Sequence, residues 1–379
     1  MWPISQSGGL TIASCGPSNC SPSSRAVTRA KWSLAAMRSD DNVSMARLFI
    51  VTPAGAGLRN GNRHTALRWA TLARAGRHRV RVAVQWEGEP CDALIALHAR
   101  RSHGSIALYR QKQGGAPLIV TLTGTDLYRD LPDSPAARES LELADRLIVL
   151  QEAALDELAP PLRAKARVVY QSADPRVAHR PPSDVFRITV VAHLRAEKDP
   201  LRAAAALARL PDKNVELVQI GEALDERFAH EAKEWATREP RYRWLGGLAH
   251  ERALAWMAKS HVLVVSSVME GGANVVAEAA RIGTPVIASR MPGNVGMLGE
   301  RYPGYYPVAD DAALADVIAR AKKDQRFYRS LQTAMRARRK LFAPAAERAA
   351  LLRVVREALH LRSSATRART ASLDQSSSP

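Results

Sequence analysis

The chain is poor in cysteine, aromatics and acid, and it has no long apolar run. Of its three cysteines, Cys15 and Cys20 fall in a Ser-rich opening segment and Cys91 stands alone, which excludes a disulfide framework and implies a reducing, cytoplasmic setting. The histidines are scattered without ligand spacing, so no metal site is expected. No run of about eighteen apolar residues occurs, so no transmembrane helix is expected. The opening segment also lacks the continuous apolar region of a signal peptide. Acid is outnumbered: 37 Asp and Glu face 55 Lys and Arg, for a net charge of +18. The first 44 residues and the last 18 each carry an excess of two positive charges, which leaves +14 on the core and predicts anionic partners. Nucleic acid is not the expected one, because the basic residues are dispersed, aromatics make up only 5% and no nucleic-acid motif is present. The densest basic cluster, Arg336, Arg338, Arg339 and Lys340, reads as a solvated helix face; association with a membrane surface is the less favoured reading.

What is present is a repeated alternation. Short apolar strands are expected at Leu48–Val51, Val80–Val84, Ala93–Leu97, Leu118–Leu122, Arg146–Leu150 and Ala166–Tyr170, most of them separated by helical lengths. A second set begins at Ile188 and continues at Glu216–Ile220, Tyr242–Leu245, Val262–Val265 and Pro285–Ala288. Such alternation predicts an α/β fold of two doubly wound, Rossmann-like domains. The Pro-rich stretch Asp174–Ser183 is the expected join, giving domains at 45–175 and 184–344. Residues 345–361 form a last apolar helix. Met45-Ala46-Arg47-Leu48 opens the first strand in the manner of a natural start, so residues 1–44 read as an over-extended start or a disordered arm. Residues 362–379, rich in Ser and Arg, read as a disordered tail.

The stretch most informative about function is Ser266–Glu278, where Glu270 and Glu278 lie eight apart across Gly271, Gly272 and Asn274. A strand precedes it, and a helix from Ala273 to Arg281, stopped by Gly283, follows. That puts Glu270 on a loop at the carboxyl edge of a sheet, where ligands bind, and Glu278 in the helix. A carboxylate there suits sugar hydroxyls. The segment resembles the Glu-x7-Glu signature of the family 4 retaining nucleotide-sugar glycosyltransferases, which have the GT-B fold. The resemblance implies that Glu270 contacts the donor sugar, that Glu278 holds the ribose hydroxyls, and that the last helix crosses back onto the first domain. In the same family an Arg and a Lys five apart bind the donor diphosphate. Lys198 fills the lysine position, but His193 stands where the arginine is expected and Arg195 is displaced by two. Either Arg195 reaches the phosphates or His193 does so as a weaker, pH-dependent donor.

A second glycine loop, Thr52–His64, follows the first strand and precedes an amphipathic helix from Thr65 to Ala75. Gly55 and Gly57 let backbone amides approach a ligand, while Arg59, Asn62, Arg63 and His64 supply donors. It resembles the first loop of GT-B enzymes. Dinucleotide binding is disfavoured, because the third glycine falls at Gly61, one residue late, and no acidic residue ends a clean second strand. Many family members carry a histidine after the strand at Leu118, yet Thr123 stands in that place here. The loop Leu97–Ser102 instead offers a histidine and two arginines at the same edge, Arg101 among them. Together Gly61–Ala70, Leu97–Ser102 and Leu122–Tyr128 resemble the selenosugar synthases of selenoneine biosynthesis. That resemblance implies transfer from a UDP-sugar, typically UDP-N-acetylglucosamine, to selenophosphate, with Glu270, Arg63 and His64 at the reacting centre and no cofactor. Such an acceptor is anionic and strongly nucleophilic, so it calls for cationic donors more than for a general base. A family 4 enzyme with a sugar or lipid hydroxyl acceptor and a non-enzymatic nucleotide-binding module are the alternatives.

Overall fold

The computed structural model describes the backbone of residues 45–53, 55 and 61–376, and side chains up to residue 361. The readings on residues 1–44, Gly57, Arg59 and residues 377–379 lie outside the described residues.

The first domain is a six-stranded parallel sheet of β1 (Arg47–Val51), β2 (Arg79–Ala83), β3 (Ala93–Leu97), β4 (Leu118–Thr121), β5 (Arg146–Val149) and β6 (Ala166–Val168), in spatial order β2-β1-β3-β4-β5-β6. The second is a parallel sheet of β7 (Phe186–Val191), β8 (Val215–Ile220), β9 (Tyr242–Trp244), β10 (Val262–Val265), β11 (Val286–Ser289) and β12 (Tyr305–Tyr306), in order β12-β11-β10-β7-β8-β9. Central strands such as Ala93–Leu97 and Val262–Val265 are buried at every position, the mark of a sheet covered on both faces. The edge strand Arg79–Ala83 alternates Arg with Val and stays partly exposed. The two doubly wound domains expected from the sequence are therefore present.

Two boundaries differ from expectation. The first helix spans Gly61–Ala75, with Thr65 Oγ1 donating to Gly61 O at 2.9 Å, so Asn62, Arg63 and His64 form its first turn and are not loop residues. The last helix spans Pro344–Ser376 and takes in most of the stretch expected to be a disordered tail. Nothing between Ala345 and Ser378 breaks a helix: there is no glycine and no proline.

That helix packs on the first sheet. Leu351, Val354, Val355 and Ala358 share one buried cluster with Ile95, Ile119 and Ile148. Its polar anchor is Glu347, 1% exposed, which accepts from Arg68 Nε at 2.9 Å, Trp69 Nε1 at 2.7 Å and Ser172 N at 2.8 Å. A buried carboxylate is tolerable only when so fully partnered. Farther along, Glu357 accepts from Arg146 and Arg167. Among the described residues no helix is long and apolar enough to cross a membrane.

Candidate functional site

The carboxyl ends of both sheets meet where β4 and β10 give way to loops. Beyond β10, Glu270 is buried; its Oε1 accepts from Ser267 Oγ at 2.7 Å and is ion-paired with Lys198 Nζ. Lys198 ends a single 3-10 turn, Ala196–Lys198, after β7. Space dictates the glycines here. A Cβ on Gly271 would overlap the Thr123 carbonyl of the first domain, and one on Gly124, at φ 143°, would lie 2.8 Å from Gly271 N. On the other side, a Cβ on Gly293 would overlap Glu270 O. Glu270 and Gly271 are thus held between the first domain and the helix Pro292–Leu298, backbone against backbone.

Glu278 projects from the helix Asn274–Ile282, which closes on Gly283 at φ 102°. Its side chain is 12% exposed, and His250 Nε2, at the start of the helix His250–Ala258, lies 3.6 Å away. Burial raises the Glu278 pKa, while the charges of His250 and Arg68 act in the opposite sense. Arg68 belongs to the first domain, and Gln171 ties the two halves together beside it. With its amide oxygen toward Arg68 Nη2 (3.1 Å), the Gln171 nitrogen donates to Gly272 O (3.0 Å) and Asn274 Oδ1 (3.2 Å).

At the end of β7, His193 Nδ1 accepts from Glu222 N at 3.2 Å, which leaves the proton of the neutral ring on Nε2. Of the two diphosphate candidates, His193 therefore has Nε2 left to offer and Arg195, half-exposed, is the guanidinium. Arg195 Nε lies 3.9 Å from Glu197 Oε2.

On the first domain, Asp126 is fully buried and organises two loops. Its Oδ1 accepts from Thr123 N (2.7 Å), Thr123 Oγ1 (3.1 Å) and Gly124 N (2.9 Å), and its Oδ2 accepts from Ala99 N (3.0 Å). His98, buried and at φ 72°, holds a backbone conformation disfavoured for a residue with a Cβ. Its Nδ1 accepts from Arg101 N (3.3 Å) and its Nε2 faces Thr125 Oγ1 (3.1 Å). Burial lowers its pKa. Arg101 itself is exposed at the rim, and Asn62, Arg63 and His64 line the first turn of the helix that carries Arg68. Gly55 has open space around it. The structure therefore gathers Glu270, Gly271 and Lys198 tightly, places Gly272, Asn274 and Glu278 against the first domain, and leaves Arg101 at the margin.

Sequence reasoning passed over Asp126, Gln171, Arg68 and Arg129. Asp126 alone had a local signal, the Thr-Gly-Thr-Asp turn in which a short carboxylate reaches back to the preceding amides. Among the described residues no three His, Cys, Asp or Glu side chains gather in a metal-binding group.

Comparison with known proteins agrees with this layout. Residues 172–339, which span the second domain, match the family model Glycosyl transferases group 1. The fold is similar to that of Anabaena HepE solved with UDP and glucose, with a TM-score of 0.66 at 16% identity over 82% of this chain and 100% of that one. It is similar too to sucrose-phosphate synthase from Thermosynechococcus elongatus, with a TM-score of 0.67 at 18% identity over 82% of this chain and 98% of that one. A glycosyltransferase from Rickettsia africae gives a TM-score of 0.63 at 14% identity over 83% of this chain and 99% of that one. At such identities the likeness is one of fold, and the fold is GT-B.

Proposed function

We propose that this chain transfers a sugar from a UDP-sugar, with UDP-N-acetylglucosamine the expected donor, to a small anionic acceptor, selenophosphate, without a metal or cofactor. The observation that carries the reading is the seating of Thr123 and Gly124 on Gly271, which brings the first domain's loop onto the residue that follows Glu270. Glu278 stands where the Glu-x7-Glu resemblance puts the ribose contact and Lys198 where the family's Arg and Lys pair puts the diphosphate lysine, and HepE was solved with UDP and glucose in the same fold.

The acceptor assignment rests on proton accounting. A hydroxyl acceptor must lose a proton as it attacks, to a base on the protein or to the departing diphosphate. Thr123 stands at the acceptor loop, and the nearby His98 has Nδ1 engaged by a backbone amide and its Nε2 turned to Thr125. Selenophosphate needs no base. Its selenium forms the bond to the anomeric carbon, the carbon–oxygen bond to the diphosphate breaks, and UDP leaves with the electron pair, its charge met by Lys198 and Arg195. Arg63, His64 and Arg101 are the donors for the acceptor's phosphate.

Purified protein incubated with a set of UDP-sugars, with selenophosphate and with sugar or lipid hydroxyl acceptors side by side, tests this by mass spectrometry. A product joining selenium to the sugar is expected. Glycosylation of a hydroxyl with selenophosphate ignored would move the chain to the hydroxyl-acceptor reading, and UDP binding without turnover of any donor would leave a nucleotide-binding module.

A further inference from the structure

The loop that follows β7 contains two cations, Arg195 and Lys198, and each already faces a carboxylate: Lys198 is paired with Glu270, and Arg195 is beside Glu197. His193 has its Nδ1 engaged by Glu222 N. At the loop's far end Asp199 is paired with Arg202, and a further cation reaches the loop from the other domain. Arg129 lies in the turn Asp126–Asp130 beyond β4, and its Nη1 donates to Glu197 Oε1 at 3.1 Å across the cleft. That turn is π-wound, a local irregularity that recurs at functional sites because the extra residue re-aims a side chain. Its base is fixed by buried Asp126. The loop Arg129 reaches also abuts the donor site, since Glu197 O accepts from Val268 N at 3.0 Å, two residues before Glu270.

We propose that Arg129 is a diphosphate-binding residue supplied by the first domain, and that Glu197 is its stand-in anion when no donor is bound. The inference rests on the glycosyltransferase reading above. Arg129 remains 46% exposed, so its guanidinium is open to a ligand, and an ion pair so exposed contributes little to folding. Arg129 makes one hydrogen bond to Glu197 while its Nε faces Asp130 Oδ1 at 3.5 Å, and a planar guanidinium can engage two phosphate oxygens at once. The arriving diphosphate carries two negative charges to a loop where Glu197 is shared by two cations, Arg129 and Arg195. Arg129 exchanges Glu197 for a phosphate oxygen, so the bound donor takes the place of Glu197 as the link between the two domains.

The proposal predicts effects of opposite sign from the two ends of one ion pair. By calorimetry, Arg129→Ala should weaken UDP about tenfold while changing UMP, which lacks the second phosphate, by less than about threefold; Arg129→Lys should recover part of the loss. Glu197→Gln, which removes the competing anion, should tighten UDP. If the pair were only a structural bridge, both variants would lower the melting temperature and neither would separate UDP from UMP. Wild-type-like UDP binding by Arg129→Ala, or weaker UDP binding by Glu197→Gln, overturns the inference and leaves the glycosyltransferase reading intact. Failure of the wild-type protein to bind UDP overturns that reading and this inference with it.

Discussion

The contact between Gly271 and Thr123 offers a sharp test, because neither side can yield. In Gly271→Ala the new methyl would overlap the carbonyl of Thr123 and crowd Gly124 N, and both are backbone atoms. That backbone is pinned: Asp126 accepts from Thr123 N at 2.7 Å, from Gly124 N at 2.9 Å and from Thr123 Oγ1 at 3.1 Å. Gly271 cannot retreat either, since Gly293 lies against Glu270 O on the far side. Overpacking of this kind costs roughly 1–3 kcal/mol. In a chain of this size that corresponds to a fall in melting temperature of roughly 1–2 °C per kcal/mol. The larger effect should be on turnover, because relief of the clash moves the first domain off the donor loop, and a misplacement of about 1 Å can cost roughly a hundredfold in rate. UDP affinity should change by less than about threefold, since Lys198 and Glu278 both belong to the second domain. Melting curves, UDP calorimetry and kcat/KM for the UDP-sugar measure the three quantities separately. An alanine variant with unaltered kcat/KM would show that the two loops part freely and that their contact has no place in the reaction.

Other substitutions probe the neighbouring parts. Glu278→Gln should weaken donor binding by roughly 1.5–3 kcal/mol, the range for a hydrogen bond to a charged group, and unchanged UDP affinity in calorimetry would remove Glu278 from the ribose site. Because burial raises the Glu278 pKa, UDP-sugar affinity should be complete above that raised value and fall as pH drops through it, with the acid limb above the usual carboxylate range of about 4.3 and absent in Glu278→Gln. Glu347→Ala should cost roughly 3–5 kcal/mol by stranding Arg68 and Trp69 Nε1, and a melting temperature within a degree of wild type would refute the anchor. Arg63→Ala should lower turnover with selenophosphate far more than it lowers UDP affinity, and equal losses in both would place Arg63 on the donor.

Those features that repeat within a short window were legible in the sequence. Central strands announced themselves because burial on both faces demands uninterrupted apolar residues, as in Ala93–Leu97. Glu270 and Glu278 were legible because a strand, a glycine turn and a helix fix their separation. The start of the first helix was misjudged because Gly61 reads as a loop residue, yet at a helix's first position it costs little and leaves Arg63 and His64 on the first turn. The long last helix was missed for a related reason: Ser and Arg lower the average apolar content without containing a breaker. Pairings across long stretches of chain leave no local trace. Arg68 and Glu347 are 279 residues apart, and nothing in either segment names the other.

The same limit bears on the acceptor, where a substitution visible in the sequence acquires its meaning only from its partners. Thr123 in place of a histidine could have been a replacement base, a threonine hydroxyl activated by a neighbouring carboxylate. The geometry points the other way. Thr123 Oγ1 donates its one proton to Asp126 Oδ1, and that same oxygen takes the amides of Thr123 and Gly124. Its other oxygen takes Ala99 N, so the Asp126 carboxylate is engaged on both sides by the loops it organises. Asp126 therefore shapes the loop. His98 is likewise engaged, since a backbone amide occupies Nδ1 and its Nε2 points at Thr125. An acceptor edge held in shape by Asp126 supports the proposed reading, in which the nucleophile arrives already ionised.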